Sequence, residues 1–147
     1  MANLPAEQML VKINVKTVIR DRGEKQTFDL TAFGRFHQKG EAHFLQYDEN
    51  MEAGTAKTII KMGDQDGVIL RSGAVKMRLP FRLNKKMRGS YELPYGTLEM
   101  LTTTKRFDHT YNETTKQGSI ELLYELKTQG ANTGTYHLKI TFEEDAK

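Results

Sequence analysis

The sequence predicts an all-β protein, a single antiparallel up-and-down β-barrel of about eight to ten strands in one domain over residues 1–147. Apolar and polar residues alternate with period two in one segment after another, which is typical of strands with one buried face. Short turn-like stretches such as DRGE, QKGE and TKQG separate these segments. No stretch keeps a helical period for three turns, so the strands are expected to follow one another directly, as in a meander.

Five segments show the alternation most clearly. In the first, Met9, Val11 and Ile13 alternate with Lys12 and Asn14. The five are MLVKINVKTVIR (9–20), QTFDLTAFGRF (26–36), AVKMRLPF (74–81), SIELLYEL (119–126) and YHLKITF (136–142). Weaker strands fit at 41–47, 56–62, 68–71, 89–93 and 97–107. A series of this length leaves two exposed edges unless the sheet closes, which favours a barrel over the main competitor, a two-sheet sandwich.

The dipeptide Ser72-Gly73 predicts the register of one hairpin. A two-residue turn there places Arg71 opposite Ala74 and Leu70 opposite Val75, with Gly73 at a positive φ. Leu70 and Val75 then share the buried face, while Arg71 lies on the solvent face beside Lys76. The alternation further along directs one set of side chains to the core, namely Val75, Met77, Leu79 and Phe81, and another to solvent, namely Lys76, Arg78 and Arg82.

The composition restricts the chemistry of the chain. It has 147 residues and no cysteine, so disulfides, thiolate metal sites and a cysteine nucleophile are excluded. The first ten residues, MANLPAEQML, lack the pattern of a signal peptide, and no apolar run approaches the roughly 20 residues needed to span a membrane. We therefore expect a cytoplasmic protein without a membrane partner.

No pattern indicates catalysis. None of the three serines lies in a Gly-x-Ser-x-Gly elbow. The four histidines contain no pair at helical metal-ligand spacing, and His37 and His43, which flank one hairpin, are interpreted as solvent-facing strand residues. We expect no enzyme, no metal and no cofactor.

Three segments, KTIIK (57–61), RSGAVKM (71–77) and PYGTLEMLTTTKR (94–106), occur in an order and spacing that resemble the YwiB-like family. Members of that family are small bacterial proteins of unknown function. The resemblance covers most of the chain and implies a lipocalin-like, calycin-type β-barrel. It implies no activity, catalytic residue or cofactor, and a fold does not supply a function.

One open function is binding of a small molecule in the barrel lumen. In TLEMLTTTKR the face that begins with Leu98 and Met100 continues as Thr102, Thr104 and Arg106. If this face points inward, two hydroxyls and a guanidinium enter the interior and favour a ligand-sized space. In the alternative, the threonines only suit a strand and phenylalanines fill the interior, namely Phe28, Phe36, Phe44, Phe81 and Phe142.

The other open function is weak binding of a polyanion or nucleic acid. Segment 67–91 holds seven basic residues and no acid, which leaves 15 basic and 19 acidic residues, a formal −4, for the rest of the chain. The candidate anion-binding residues are Arg71, Lys76, Arg78, Arg82, Lys85, Lys86 and Arg88. Basic side chains along a strand and into a loop can follow phosphates, whereas the alternative is a solvated outer face balanced by neighbouring acids. A filled lumen would contradict the first function, and acids interleaved with the basic residues would weaken the second.

Overall fold

Ten antiparallel strands close into one barrel in the computed structural model, which describes residues 8–52 and 54–145. Each strand pairs with the next one along the chain, and β1 pairs with β10 to complete the ring. The strands are β1 (Met9–Asp21), β2 (Glu24–Lys39), β3 (Ala42–Met51), β4 (Gly54–Met62), β5 (Asp66–Gly73), β6 (Lys76–Arg82), β7 (Lys86–Leu93), β8 (Gly96–Asn112), β9 (Gln117–Thr128) and β10 (Ala131–Glu144). The predicted meander barrel is confirmed, since every alternating segment of the sequence became a strand.

The barrel has two ends that differ in packing. We call the end that carries the turns at residues 22–23, 74–75 and 129–130 the upper end, and the opposite one the lower end. Towards the lower end Phe36, Phe81 and Phe142 are buried, and the rings of Phe36 and Phe142 lie 4.6 Å apart. Three of the five phenylalanines named in the filled-interior alternative thus pack in the lower half. Phe28, by contrast, is 54% exposed, and Phe44 lies on the outer face of β3 beneath Lys61.

The hairpin between β5 and β6 has a different register from the predicted one. Arg71 pairs with Met77 and Leu70 pairs with Arg78, so five residues rather than two connect the last paired positions. Gly73 does have a positive φ of 94°, but it continues the ladder with Ala56 of β4. The partner of Arg71 is thus Met77 instead of Ala74, a shift of three positions. Because successive residues of a strand point to opposite faces, an odd shift exchanges the inward and outward side chains of β5.

The reversed facing of β5 changes the position of Arg71. Ile69 is buried and Leu70 is 37% exposed, the opposite of the prediction. Arg71 follows Ile69 to the inner face, so its predicted place on the outer basic face was wrong. On β6 the prediction was right for Met77, Leu79 and Phe81 and wrong for Val75, which lies half-buried in the connection.

A β-bulge in β8 determines the facing of its second half. The register with β9 shifts between Thr104 and Arg106, so that Thr102 and Thr104 are buried while Arg106 points outward. Before the bulge the inward-facing residues of β8 have even numbers. Beyond it they have odd numbers, namely Phe107, His109 and Tyr111. A bulge inserts one extra residue, and that insertion reverses all later side chains.

The wall between β2 and β3 is paired over only part of its length. These two strands are hydrogen-bonded from Gly34 and Tyr47 down to Lys39 and Ala42. Above that point, among the described residues, positions 24–33 of β2 form a ladder with β1 alone, and positions 48–51 of β3 form one with β4 alone. We call this unpaired stretch the seam. It lies beside the upper half of the lumen.

Candidate functional site

The upper half of the lumen contains a cavity of about 330 Å³. At about 30 Å³ per non-hydrogen atom, this volume accommodates a molecule on the order of ten such atoms. The wall is mainly aliphatic, with side chains such as Val15, Ile60, Leu79 and Leu138. Four tyrosines add aromatic surface and hydroxyl groups, namely Tyr47, Tyr91, Tyr124 and Tyr136. A mostly apolar cavity with a few polar groups is typical of small-molecule sites.

The polar groups of the cavity lie on one side of the wall. Tyr47 of β3 pairs with Thr58 of β4, and Thr58 pairs with Arg71 of β5, so these three residues form one inward row across adjacent strands. We call them the polar row. Glu49 lies two residues beyond Tyr47, nearer to the upper end, and its Oε1 is 3.3 Å from Nη2 of Arg71. Both side chains of this ion pair are partly buried.

Two atoms of the polar row make no hydrogen bond of good geometry. They are the hydroxyl oxygen of Thr58, a residue only 1% exposed, and the Nε of Arg71. Both side chains nevertheless lie close enough to the Tyr47 phenol to act on its pKa through hydrogen bonding. Buried polar groups in folded proteins are almost always paired, and leaving one unpaired costs about 1–3 kcal/mol. Both residues line the cavity, so a molecule placed there is within reach of these two atoms. The hydroxyl of Thr104, which does not line the cavity, is unpaired as well.

Two tyrosines of the cavity, Tyr47 and Tyr124, are held in the neutral form by burial. Burial raises the pKa of Tyr47, and the guanidinium of Arg71 opposes this shift. Burial also raises the pKa of Tyr124, which stacks on Tyr136 with ring centroids 5.4 Å apart. A protonated phenol can donate a hydrogen bond, so these rings combine apolar surface with donor groups.

The residues predicted for the lumen divide into two groups. Thr102 and Thr104 are inward and buried, but they lie below the cavity, and the Thr102 hydroxyl donates to the Pro80 carbonyl at 2.6 Å. Arg106 does not enter the lumen, because the bulge turns it outward to Glu121 at 3.3 Å. Hydrogen bonding from His137, reinforced by Arg106, lowers the pKa of Glu121. The prediction for Arg106 was wrong.

The remaining candidate anion-binding residues are exposed but accompanied by acids. Lys76 lies opposite Glu92 in the ladder, Arg82 lies opposite Asp66, and Arg88 is 3.8 Å from Glu99. Arg78, Lys85 and Lys86 are also exposed. With Arg71 inside the barrel and acids beside Lys76, Arg82 and Arg88, the surface is not an unbroken basic track.

Two histidines form a pair that the sequence did not indicate. His43 is buried rather than solvent-facing, so that interpretation was wrong for it. Its Nδ1 lies 2.7 Å from the Nδ1 of His109, whose Nε2 lies 2.7 Å from the Gly63 carbonyl. Since a carbonyl only accepts, His109 donates from Nε2 and, when neutral, accepts at Nδ1 from His43. The pair joins β3 and β8, which are not neighbours in the sheet.

Other features of the described chain offer less. A hollow of about 520 Å³ at the lower end is bordered by exposed side chains such as Gln38, Glu113 and Lys116. Within residues 8–52 and 54–145, no group of three or more histidines and acids could hold a metal ion. The same residues contain no helix long and apolar enough to cross a membrane. The upper cavity is thus the best-formed candidate site.

Comparison with known proteins defines the family of this barrel. The model of a domain of unknown function, DUF1934, matches residues 13–140. The chain belongs to the DUF1934 family. It is 29% identical over 133 residues to the uncharacterized beta-barrel protein YwiB of Bacillus subtilis (strain 168), covering 90% of this chain and 92% of that one. The crystal structure of ywiB protein from Bacillus subtilis superposes with a TM-score of 0.83 at 27% identity, over 95% of this chain and 94% of that chain.

The DUF1934 assignment agrees with the resemblance read from KTIIK, RSGAVKM and PYGTLEMLTTTKR, and it extends over most of the barrel. The lipocalin-like, calycin-type label that accompanied this resemblance stays a prediction. Neither the family description nor that of YwiB names an activity. The function must therefore be argued from the site itself.

Proposed function

We propose that this DUF1934 protein is a non-enzymatic binding protein that holds one small, mainly apolar molecule in the upper half of its barrel. The observation that carries the proposal is the cavity of about 330 Å³ bordered by two unpaired polar atoms, on Thr58 and Arg71. An empty apolar cavity would need no such groups, and a filled core would leave no such space. The cytoplasmic setting expected from the sequence stays a prediction.

The alternative function, weak binding of a polyanion to the outer face, has less support. Lys76, Arg82 and Arg88 each have an acid opposite or beside them, and Arg71 is inside the barrel. Charges of mixed sign do not concentrate phosphate counter-ions as an unbroken basic track does. Polyanion binding therefore remains a prediction whose structural support is limited to the exposed Arg78, Lys85 and Lys86.

The proposal is tested with a neutral probe and a variant that fills the cavity. The molecule 3-phenylpropanol has ten non-hydrogen atoms and so matches the size of the cavity. We expect it to raise the thermal unfolding midpoint of the wild-type protein. Leu138→Trp should abolish this shift, because Leu138 lines the cavity and the indole occupies its space. Leu10→Trp is the matched control, since Leu10 is exposed on the outer face.

The natural chain has no tryptophan, so the fluorescence of each introduced indole also reports whether that variant is folded. Native mass spectrometry of the purified protein is the complementary measurement, and it should detect a retained molecule released on denaturation. If 3-phenylpropanol leaves the wild type unchanged, or shifts Leu138→Trp as much as Leu10→Trp, the lumen is not the binding site.

A further inference from the structure

We propose that the molecule held in the lumen ends in a carboxylate, which binds the polar row and replaces Glu49 as the ion-pair partner of Arg71. This inference rests on the proposed function and specifies the chemical class of its ligand. The class follows from the row Tyr47, Thr58 and Arg71, whose side chains lie side by side on three neighbouring strands. The remainder of the cavity is apolar and suits an aliphatic or aromatic body.

The polar row offers hydrogen-bond donors. The guanidinium of Arg71 has five N–H groups and no acceptor, and only one of its nitrogens is engaged by Glu49. The Thr58 hydroxyl and the neutral phenol of Tyr47 can also donate, and both residues line the cavity. A set of donors next to a fixed positive charge matches a group that only accepts and carries a negative charge. A carboxylate meets both conditions, whereas a hydroxyl or an ammonium does not.

The Arg71–Glu49 pair is arranged so that a ligand can replace Glu49. Its single contact of 3.3 Å is long for a charge-assisted hydrogen bond, which is typically 2.7–2.9 Å, and the adjacent Nε is left unpaired. Glu49 lies one inward row nearer to the upper end than Tyr47 and is partly exposed. It can therefore turn towards water when a carboxylate from the ligand reaches Nε and Nη2 of Arg71.

Glu49 therefore occupies the place of the ligand carboxylate in the free protein. In the free protein it neutralises Arg71, because a charge inside the barrel without a partner is costly. In the complex the ligand carboxylate takes this place with better geometry and also reaches the unpaired Thr58 hydroxyl. Removing the charge of Glu49 should consequently strengthen ligand binding, an effect that a misfolded variant cannot imitate.

The test compares two pairs of compounds with the same carbon skeleton, 3-phenylpropionate with 3-phenylpropanol and octanoate with octanol. Isothermal titration calorimetry at pH 7.5 should show that the wild type binds each acid at least about tenfold more tightly than its alcohol, the value of one charge-assisted hydrogen bond. Arg71→Gln should weaken acid binding by about tenfold to a hundredfold and leave alcohol binding nearly unchanged.

Glu49→Gln is the decisive variant. It should strengthen acid binding by about twofold to fivefold, the scale of one partly exposed ion pair, without affecting the alcohols. Because Arg71→Gln alone leaves Glu49 unpaired, the double variant Arg71→Gln/Glu49→Gln serves as its folding control and should bind acids as weakly as Arg71→Gln.

The outcomes separate the two proposals. Alcohols that bind as tightly as acids, or acid binding that Glu49→Gln leaves unchanged or weakens, would reject the carboxylate while the lumen remains a binding site. If neither acids nor alcohols bind the wild type, the proposed function fails together with this inference.

Discussion

At the scale of single residues, Gly73 shows how the backbone restricts the sequence of a connection. Its φ of 94° lies in the region that favours glycine, and a β-carbon built on it would lie 2.5 Å from the Thr55 carbonyl oxygen. Both the torsion and the contact oppose a side chain. Gly73 thus lets β5 continue its ladder with β4 while the chain turns towards β6.

Replacing Gly73 with valine is expected to destabilise the protein by about 1–3 kcal/mol, the scale of local backbone strain. A β-branched residue at positive φ is strained, and its Cβ would also displace the backbone of Thr55. Chemical denaturation followed by circular dichroism measures the free energy of unfolding. Gly40→Val is a useful comparison, because Gly40 also has a positive φ but open space around it. An equal loss in both variants would exclude the contact with Thr55 as a cause.

The sequence analysis assigned no residue of the polar row to the lumen, for identifiable reasons. Tyr47 and Thr58 could have been found, since they alternate in phase with Leu45 and Ile60. Arg71 could not have been found. Whether it points inward depends on the length of the connection between β5 and β6, and the segment RSGAVK is compatible with more than one turn. For Arg106 a signal did exist. The apolar positions of β8 change from even to odd numbers after Lys105, which marks the bulge.

At the scale of elements, β6 combines a buried face with an interrupted ladder. Pro80 has no N–H, and β6 pairs with β7 only from Lys76 to Arg78. Beyond this point β8 approaches β6 directly, and the Thr102 hydroxyl donates to the Pro80 carbonyl at 2.6 Å. A proline inside a strand favours a bend or an edge, and here Pro80 follows the end of one ladder.

Truncation on the two faces of β6 should have very different effects. Phe81→Ala is expected to cost about 3–5 kcal/mol, because the ring is fully buried and lies 4.8 Å from Tyr124. Arg78→Ala should change the free energy of unfolding by less than about 0.5 kcal/mol, since the side chain is exposed. Urea denaturation of both variants measures this difference. Comparable losses would contradict the facing of β6.

At the scale of the whole molecule, the barrel follows from the number and spacing of the alternating segments. Ten such segments with short connections specify ten strands in chain order, and closure pairs β1 with β10. The interior could not be predicted in the same way. Whether it is filled depends on where the large rings lie along each strand, and here Phe36, Phe81 and Phe142 fill one half only.

The His43–His109 pair makes the stability of the barrel depend on pH. Burial, and secondarily the neighbouring His109, lowers the pKa of His43 below its ordinary value of about 6.5. The unfolded chain therefore binds a proton at a higher pH than the folded one, so stability is lost as pH falls through about 6.5 towards the lower folded pKa. Besides His109, the titratable group near the ring is Tyr111, with centroids 6.4 Å apart.

We expect the wild type to lose stability between pH 7.5 and pH 5, and His43→Phe to lose less over the same interval. Thermal midpoints measured across this range provide the test. His37→Gln is the companion variant, because burial and the nearby Lys39 lower the pKa of His37 and its contribution has the same sign. An unaltered pH profile in His43→Phe would show that the buried pair does not carry the effect.

The seam between β2 and β3 is an unpaired stretch of the barrel wall that begins above Tyr47, a residue that lines the cavity. No ladder hydrogen bonds join residues 24–33 to residues 48–51 within the described chain, so these strands can separate there by giving up side-chain contacts alone. If a molecule passes here, no ladder hydrogen bond between these two strands has to break. The residence time of a bound molecule would then follow the stiffness of the β1–β2 ribbon rather than the free energy of unfolding of the whole barrel.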